Sequence, residues 1–473
     1  MTRFRSRFAL LLAALTVGVF PVVSQPGQHA QTTPGPYTLI DLGTLGGPST
    51  QASDMNNEGQ IVGYSATATH HARGFLWDKG SMTTLGTLNG GNASWAEAVN
   101  SFGHVVGSST ISNGFTRAVL WRDGDIVNLT PDIPVYEGWS NAAAVNDSDQ
   151  IVGSIDDAHG FLWEDGSRVM LGDLGGGGSR PADINNAGQV VGSSYTAIVT
   201  DLGPMQHAFL WQNGAMTDLG VLPGDEDSGA AAINSHGVIV GSSGRTDVET
   251  YETSYRPFVY ANGMMTAIAA PSFDAYAGDI NDGGVVVGTM RAGGGFSKWH
   301  AWIYVDGVVT NLNSLIPAGS GLHLAFAEAI DNDGRITGVA YDAQGRYHGF
   351  LLAPGGSSDQ IAPAISINDV ARSEGKNGTT AFAFTVQLSA STTATVSVNF
   401  ATANGSATAG QDYVATSGTL IFNPGETTKT VVVAVNGDRT REPDETFSVN
   451  LSAAEGGTIF DALGLGIIRN DDR

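Results

Sequence analysis

The stretch Ala182-Asp183-Ile184-Asn185-Asn186-Ala187-Gly188-Gln189-Val190-Val191-Gly192 sets two apolar runs on either side of Asn-x-x-Gly. Asparagine can bond its own backbone two residues on, and glycine takes positive φ without a Cβ clash, so the stretch reads as a tight β-hairpin. The pattern returns along the chain. Asn56, Asn100, Asn146, Asn185, Asn234, Asn281 and Asp331 form one column, spaced 44, 46, 39, 49, 47 and 50 residues apart. Three residues on stand Gly59, Gly103, Asp149, Gly188, Gly237, Gly284 and Gly334, and seven on stand Gly63, Gly107, Gly153, Gly192, Gly241, Gly288 and Gly338. A third run follows each hairpin, cleanest as His207-Ala208-Phe209-Leu210-Trp211, and a fourth as Met216-Thr217-Asp218-Leu219-Gly220. Each unit is therefore expected to be a four-stranded meander, and a period of this length marks a repeat architecture.

Such units suit propeller blades, whose sheets pack face to face around an axis. Four positions before the column Asn stand Ala52, Ala96, Ala142, Ala230, Ala277 and Ala327, with Pro181 in the remaining copy. That smallness places the first strand innermost. Tyr37-Thr38-Leu39-Ile40-Asp41-Leu42-Gly43 copies a fourth strand yet precedes the first unit, while the last unit stops after His348-Gly349-Phe350-Leu351-Leu352. A first strand that completes the last blade closes a ring and removes exposed sheet edges. The expectation is a seven-bladed β-propeller over 37–353, in preference to a β-solenoid with disordered caps. The recurring His-Ala-Phe core, with Asp-Ile-Asn-x-x-Gly-x-Val-Val-Gly before it, resembles the bacterial extracellular repeat family named for that tripeptide, the HAF repeats. That resemblance implies an exported repeat protein without an established activity.

One column in the third strand always carries a donor: Arg73, Arg117, His159, His207, Arg256, His300 and His348. The structural reading is that each satisfies a backbone carbonyl between blades; the functional one is an anion site, if the column faces the channel. Asp331-Asn332-Asp333-Gly334 slightly resembles a calcium loop but falls on the hairpin-turn column.

Composition narrows the function. With 46 acidic against 22 basic residues the formal charge is −24, and there is no cysteine. Thiol chemistry and zinc ribbons are excluded, and nucleic acid is an unfavourable partner for so acidic a chain. Charged residues make up 14%, against about 25% in ordinary domains, and 64 glycines point to a turn-rich protein. Arg3, Arg5 and Arg7 precede an apolar run from Phe8 to Val23 that ends in small residues, which reads as a secretory signal over 1–24. A linker over 25–36 follows. No later stretch is apolar enough to span a bilayer, so a secreted or cell-surface location without a transmembrane anchor in the mature chain is expected.

Past Pro354-Gly355-Gly356-Ser357-Ser358-Asp359, a linker over 354–362, the pattern changes to longer alternating strands. About seven of them suggest an antiparallel Ig-like sandwich over 363–473. Its acids gather between the strands rather than along them. Calcium takes six to eight oxygen ligands, and close carboxylates are hard to hold together without a cation. No histidine occurs after His348, which disfavours zinc or copper. Solubilising acids in turns are the competing reading.

Glu374-Gly375, Asp412-Tyr413, Gly418-Thr419-Leu420-Ile421-Phe422-Asn423-Pro424-Gly425-Glu426, Asp438 with Glu442, Asp444-Glu445-Thr446-Phe447 and Asp471-Asp472 closely resemble the Calx-beta domain. Carried over residue by residue, the resemblance implies that Glu374, Asp412, Asp438, Glu442, Glu445, Asp471 and Asp472 fall on calcium-ligand positions. Gly437 and Asn470 stand where the fullest sites have further acids, which implies fewer ions or weaker binding. No Gly-x-Ser-x-Gly or His-Glu-x-x-His motif occurs. The function expected is therefore a calcium-binding, non-enzymatic binding or adhesion module with a cell-surface or extracellular polymer, polysaccharide or protein, as ligand. The alternative is an extracytoplasmic hydrolase or lyase acting in the propeller channel, which a residue set departing from the repeat and converging on the axis would favour.

Overall fold

A computed structural model describes residues 35–134, 138–156, 158–200, 203–246, 253–272, 274–291, 299–355, 363–388, 392, 395–459 and 461–472. The signal over 1–24 and most of the two linkers lie outside the described residues. Among the described residues the chain is all-β, with one 3-10 turn at Leu312–Ser314.

Each of the seven copies builds one four-stranded antiparallel sheet. The fourth copy shows the order: Gly175–Ile184, Val190–Thr200, Gly203–Gln212 and Ala215–Gly220. The column residue makes the first hairpin. Asn185 Oδ1 accepts the N–H groups of Ala187 and Gln189, both at 3.1 Å, and Gly188 closes the turn at φ 71°. In the third copy Asp149 takes that conformation at φ 55°. The hairpin between third and fourth strands is a separate device, pairs such as Asn213-Gly214 and Asp306-Gly307 with both φ positive, as two-residue turns of this kind require.

The glycine seven after the column serves packing. It lies opposite the third strand's large residue, as in Gly192 with Phe209 and Gly288 with Trp302. A Cβ on Gly192 would stand 2.1 Å from the carbonyl oxygen of Arg180 on the first strand. The aromatics opposite, Phe75, Phe161, Phe209, Phe258, Trp302 and Phe350, are wholly buried.

The seventh sheet takes its fourth strand from the other end of the sequence. Tyr37–Asp41 pairs antiparallel with Tyr347–Pro354, Tyr37 opposite Pro354 and Asp41 opposite Phe350. The first strands of successive sheets touch, and that of the seventh, His323–Ile330, touches that of the first, Gly46–Met55. A hydrogen-bond ladder follows the same circuit. Asn56 Nδ2 donates to Asn100 O, Asn100 to Asn146 O, Asn146 to Asn185 O, Asn185 to Asn234 O, Asn234 to Asn281 O and Asn281 to Asp331 O, at 2.8 to 3.1 Å. An aspartate cannot donate onward. Arg335, which holds Asp331 through Nε, does so in its place and gives Nη2 to Asn57 O at 2.7 Å. The Asp331 to Gly334 stretch is thus the closing rung of the ladder, and Asp331 belongs to no three-residue metal-ligating group among the described residues.

The donor column departs from the expected uniform role. Arg117, buried, donates to the carbonyls of Pro134 and Gly138 at 2.8 and 3.0 Å, as expected. Arg73 does the same to Asn92, while Arg256 Nη2 divides between Pro223 O at 3.2 Å and the Asp225 carboxylate at 2.8 Å. Two histidines take carboxylates instead: His207 Nδ1 meets Asp218 at 2.9 Å, and His348 Nδ1 meets Asp41 at 2.8 Å. A guanidinium fans several donors toward carbonyls, whereas one imidazole N–H is better matched by an anionic acceptor. None of the column lines the axial cavity described below.

The C-terminal region is a sandwich of a four-stranded and a five-stranded sheet. Its core includes Phe382, Phe384, Tyr413, Phe422 and Phe447. It is not wholly antiparallel. Ala364–Ile367 pairs parallel with Thr458–Ile459, and Val370–Ser373 parallel with Leu463–Arg469.

Candidate metal centre and axial cavity

The second parallel pairing assembles the acidic end of the sandwich. Because Val370–Ser373 and Leu463–Arg469 run the same way, with Ser373 opposite Arg469, both strands finish at one edge. Glu374 follows the first, and Asp471 with Asp472 the second. The ligating atoms of Glu374, Asp471 and Asp472 lie within 4.8 Å of one another, and so do those of Asp412, Glu442 and Glu445. Six of the seven expected ligands are therefore gathered in two groups. Asp438 is in neither, yet its charge acts on Glu374.

The electrostatics follow. Glu374 is buried, and desolvation followed by the charges of Asp438, Glu442, Asp472 and Asp471 pushes its carboxyl up to about 7. Glu445 is raised by desolvation and then by Asp412 and Glu442. Asp472 Oδ2 is buried with no hydrogen-bond partner among the described residues. An orphaned carboxylate oxygen among other carboxylates is costly unless a cation completes it, so the all-oxygen donor set fits a hard ion such as calcium. The absence of an acid at Gly437 has a steric reason: a Cβ there would stand 2.1 Å from the carbonyl oxygen of Gly375. Asn470 is used otherwise, its backbone N–H reaching Asp444 Oδ1 at 3.2 Å and its side chain Thr440 O at 3.3 Å.

A second collection of acids was not anticipated. In every copy the first strand carries a β-bulge, three residues before the ladder Asn. A bulge re-aims one side chain. The bulged residues are Ser53, Glu97, Ala143, Ala182, Ala231, Gly278 and Glu328. Five of them, all but Ala231 and Gly278, line a cavity of about 400 Å³ together with Gln51, Tyr64 and Asn141. Glu97 and Glu328 are exposed to solvent there, yet the surrounding sheets desolvate both carboxyls and push them up to about 7, and Glu328 also repels Glu97. Alanine or glycine fills four of the seven copies, so the glutamates depart from the repeat. Reading that column, one position beyond the alanine column, would have found them.

Residues 361–463 match the Calx-beta domain, and the C-terminal sandwich is a Calx-beta domain. Over 60 residues the chain is 52% identical to sodium/calcium exchanger 1 of Rattus norvegicus and 50% identical to that of Canis lupus familiaris, 13% of this chain in each case. The chain spans only 6% of the exchangers' length. The calcium binding domain CBD12 of CALX1.1 is similar at 26% identity over 23% of this chain and 44% of that one, with a TM-score of 0.22. Over 68% of this chain and 99% of the other, a gluconolactonase of Xanthomonas campestris aligns at 12% identity with a TM-score of 0.33. No helix among the described residues is long and apolar enough to cross a membrane.

Proposed function

We propose that this chain is an exported, calcium-binding surface or secreted protein acting as a non-enzymatic binding or adhesion module. In this reading the seven sheets form a seven-bladed β-propeller of HAF repeats that engages an extracellular polymer, polysaccharide or protein, and the Calx-beta domain, stiffened by calcium, supports it. The supporting observation is the gathering of Glu374, Asp471 and Asp472 in one group, whose Asp472 keeps a buried oxygen without a partner, and of Asp412, Glu442 and Glu445 in a second. Titration calorimetry of the full chain with calcium checks it: heat of binding and a raised melting temperature are expected, with magnesium doing less because it gives up water reluctantly. Absence of both heat and shift refutes the calcium reading.

The second reading, a hydrolase or lyase acting in the channel, draws on one observation: Glu97 and Glu328 depart from the repeat and meet in the axial cavity. Acid and base roles require two carboxyls whose environments push them apart. Here both move the same way to the same range, so the shifts assign neither an acid nor a base role.

A further inference from the structure

The polar lining of the axial cavity is Glu97, Glu328, Tyr64, Gln51, Ser53 and Asn141, and among the described residues no lysine, arginine or histidine lines it. Neither glutamate carboxylate has a hydrogen-bond partner among the described residues, while neutral donors and acceptors surround them. A metal ion is a poor occupant. Calcium needs six or more close oxygens, no three carboxylates here come within ligating distance of one another among the described residues, and about 400 Å³ is far more room than an ion takes.

An independent feature adjoins the cavity. Tyr276 and Phe326 occupy, in the sixth and seventh sheets, the register position that Gln51, Asn141 and Arg180 occupy in the first, third and fourth. From them runs an arc of ring contacts: Tyr255 to Tyr276 at 5.2 Å, Tyr276 to Trp299 and Trp299 to Phe326 at 6.1 Å, Phe326 to Tyr341 at 6.3 Å and Tyr341 to Tyr347 at 5.0 Å. The rings are half-buried or exposed. The arc reaches back to the cavity, since Phe326 stands opposite Val339, which lines it. Aromatic faces attract cations through the ring quadrupole, and unpaired carboxylates attract them by charge. Both features select the same chemistry, and the polar wall adds hydrogen bonds for the rest of the ligand.

We infer that the axial cavity and the aromatic arc beside it bind an organic ammonium group, held by Glu97 and Glu328 against Tyr64. The inference rests on the recognition role given above to the ring of sheets, and it gives that role a ligand class. It uses none of the sandwich residues, so it and the calcium reading can fail separately. Choline and glucosamine are the probes, with N-acetylglucosamine as the uncharged control, titrated into the full chain by calorimetry in the presence of calcium. Saturable binding of at least one amine and none of the control is expected; choline alone would point to a quaternary headgroup, glucosamine alone to an amino sugar. The volume-conserving pair Glu97→Gln and Glu328→Gln should weaken binding at least tenfold with melting retained, and Tyr64→Leu, a separate check, about threefold or more. The proposal is overturned if neither amine binds, if the paired variant binds as well as the parent, or if calcium displaces the amine from the glutamates.

Discussion

In the ring of sheets, Asp54, Asp183 and Asp279 each give one oxygen to the next residue's N–H and the other to a first strand of a neighbouring sheet, at Val99, Ile233 and Ile330, 2.8 Å in each case. In the sandwich, Asp472 Oδ2 has no partner among the described residues and Glu374 faces four other carboxylates. Burial raises carboxyl pKa values in both regions, Asp183 to about 6 and Asp279 to about 7. Backbone donors already in the chain compensate these three ring acids; in the sandwich Asp412 and Asp438 likewise accept the N–H groups of Thr408 and Thr440, while Asp472 keeps a buried oxygen without a partner, as Asp274 does in the ring. By partners, Glu97 and Glu328 stand closer to Asp472 than to Asp54, Asp183 and Asp279, although they sit in the ring.

If the ring is self-sufficient, its weakest point is where it is joined. Deleting Tyr37–Asp41 removes a strand paired along its whole length with Tyr347–Pro354 and takes the buried Tyr37 and Ile40 from the core. Loss of several kcal/mol is expected, a large part of a domain's net stability. A truncated chain whose ring region melts with the parent would show that closure adds nothing.

The sandwich should respond to metal where the ring does not. Calcium at a hundredfold excess over Kd stabilises by about 2.7 kcal/mol, and the pair Asp438→Asn with Glu442→Gln should abolish that gain while stabilising the metal-free form. A pH dependence goes with it. The folded carboxyl of Glu374 lies near 7, above its ordinary value of 4.5, so between those values the folded state holds more protons than the unfolded. Metal-free stability is therefore greatest below about 4.5 and falls as pH rises toward 7, and calcium should flatten the fall. Melting curves in chelator and in calcium across that range decide it; a metal-free sandwich growing more stable from pH 4.5 to 7 would contradict the assignment.

The contrast also explains what the sequence made legible. The ladder asparagines, the positive-φ positions after them and the displaced strand at Tyr37 are local or periodic, so they could be read directly. Sandwich ligands were legible through family resemblance, but their assembly at one edge depends on the parallel pairing of Val370–Ser373 with Leu463–Arg469, which alternation cannot reveal. Glu97 and Glu328 were obscured for another reason: Ser53, Ala143, Ala182, Ala231 and Gly278 fill the same column in the other five copies, so the repeat pattern gives that position no chemistry.

A smaller effect is expected inside the ladder. Asn146 is buried, donates to Gln150 Oε1 at 2.8 Å and Asn185 O at 3.1 Å, and accepts from Ser148 and Gln150 at 3.0 Å. Asn146→Ala orphans these groups, and about 2 kcal/mol of destabilisation follows from the usual cost of unsatisfied buried polar atoms. Asn146→Asp keeps both accepted bonds and loses only the donor, as Asp331 does, so Lys or Arg at position 150 should rescue it by supplying the reach of Arg335. An aspartate variant as stable as the parent without that rescue would mean the ladder is incidental.

The smallest change expected is at His207. It shares a column with Arg117, whose removal would strand the carbonyls of Pro134 and Gly138, but its own partner is the half-exposed carboxylate of Asp218 on the same sheet. An ion pair open to water on one side contributes at most about 1 kcal/mol, and Asp218 left alone can be hydrated. His207→Ala should therefore shift the melting temperature little and leave amine binding unchanged, because the imidazole lies outside the axial cavity. Arg117→Ala, measured beside it, should cost clearly more. Equal losses for the two would mean that the column acts as one structural unit despite its divided partners, and lost amine binding in His207→Ala with an unchanged melting curve would move the recognition surface from the axis to the third strands.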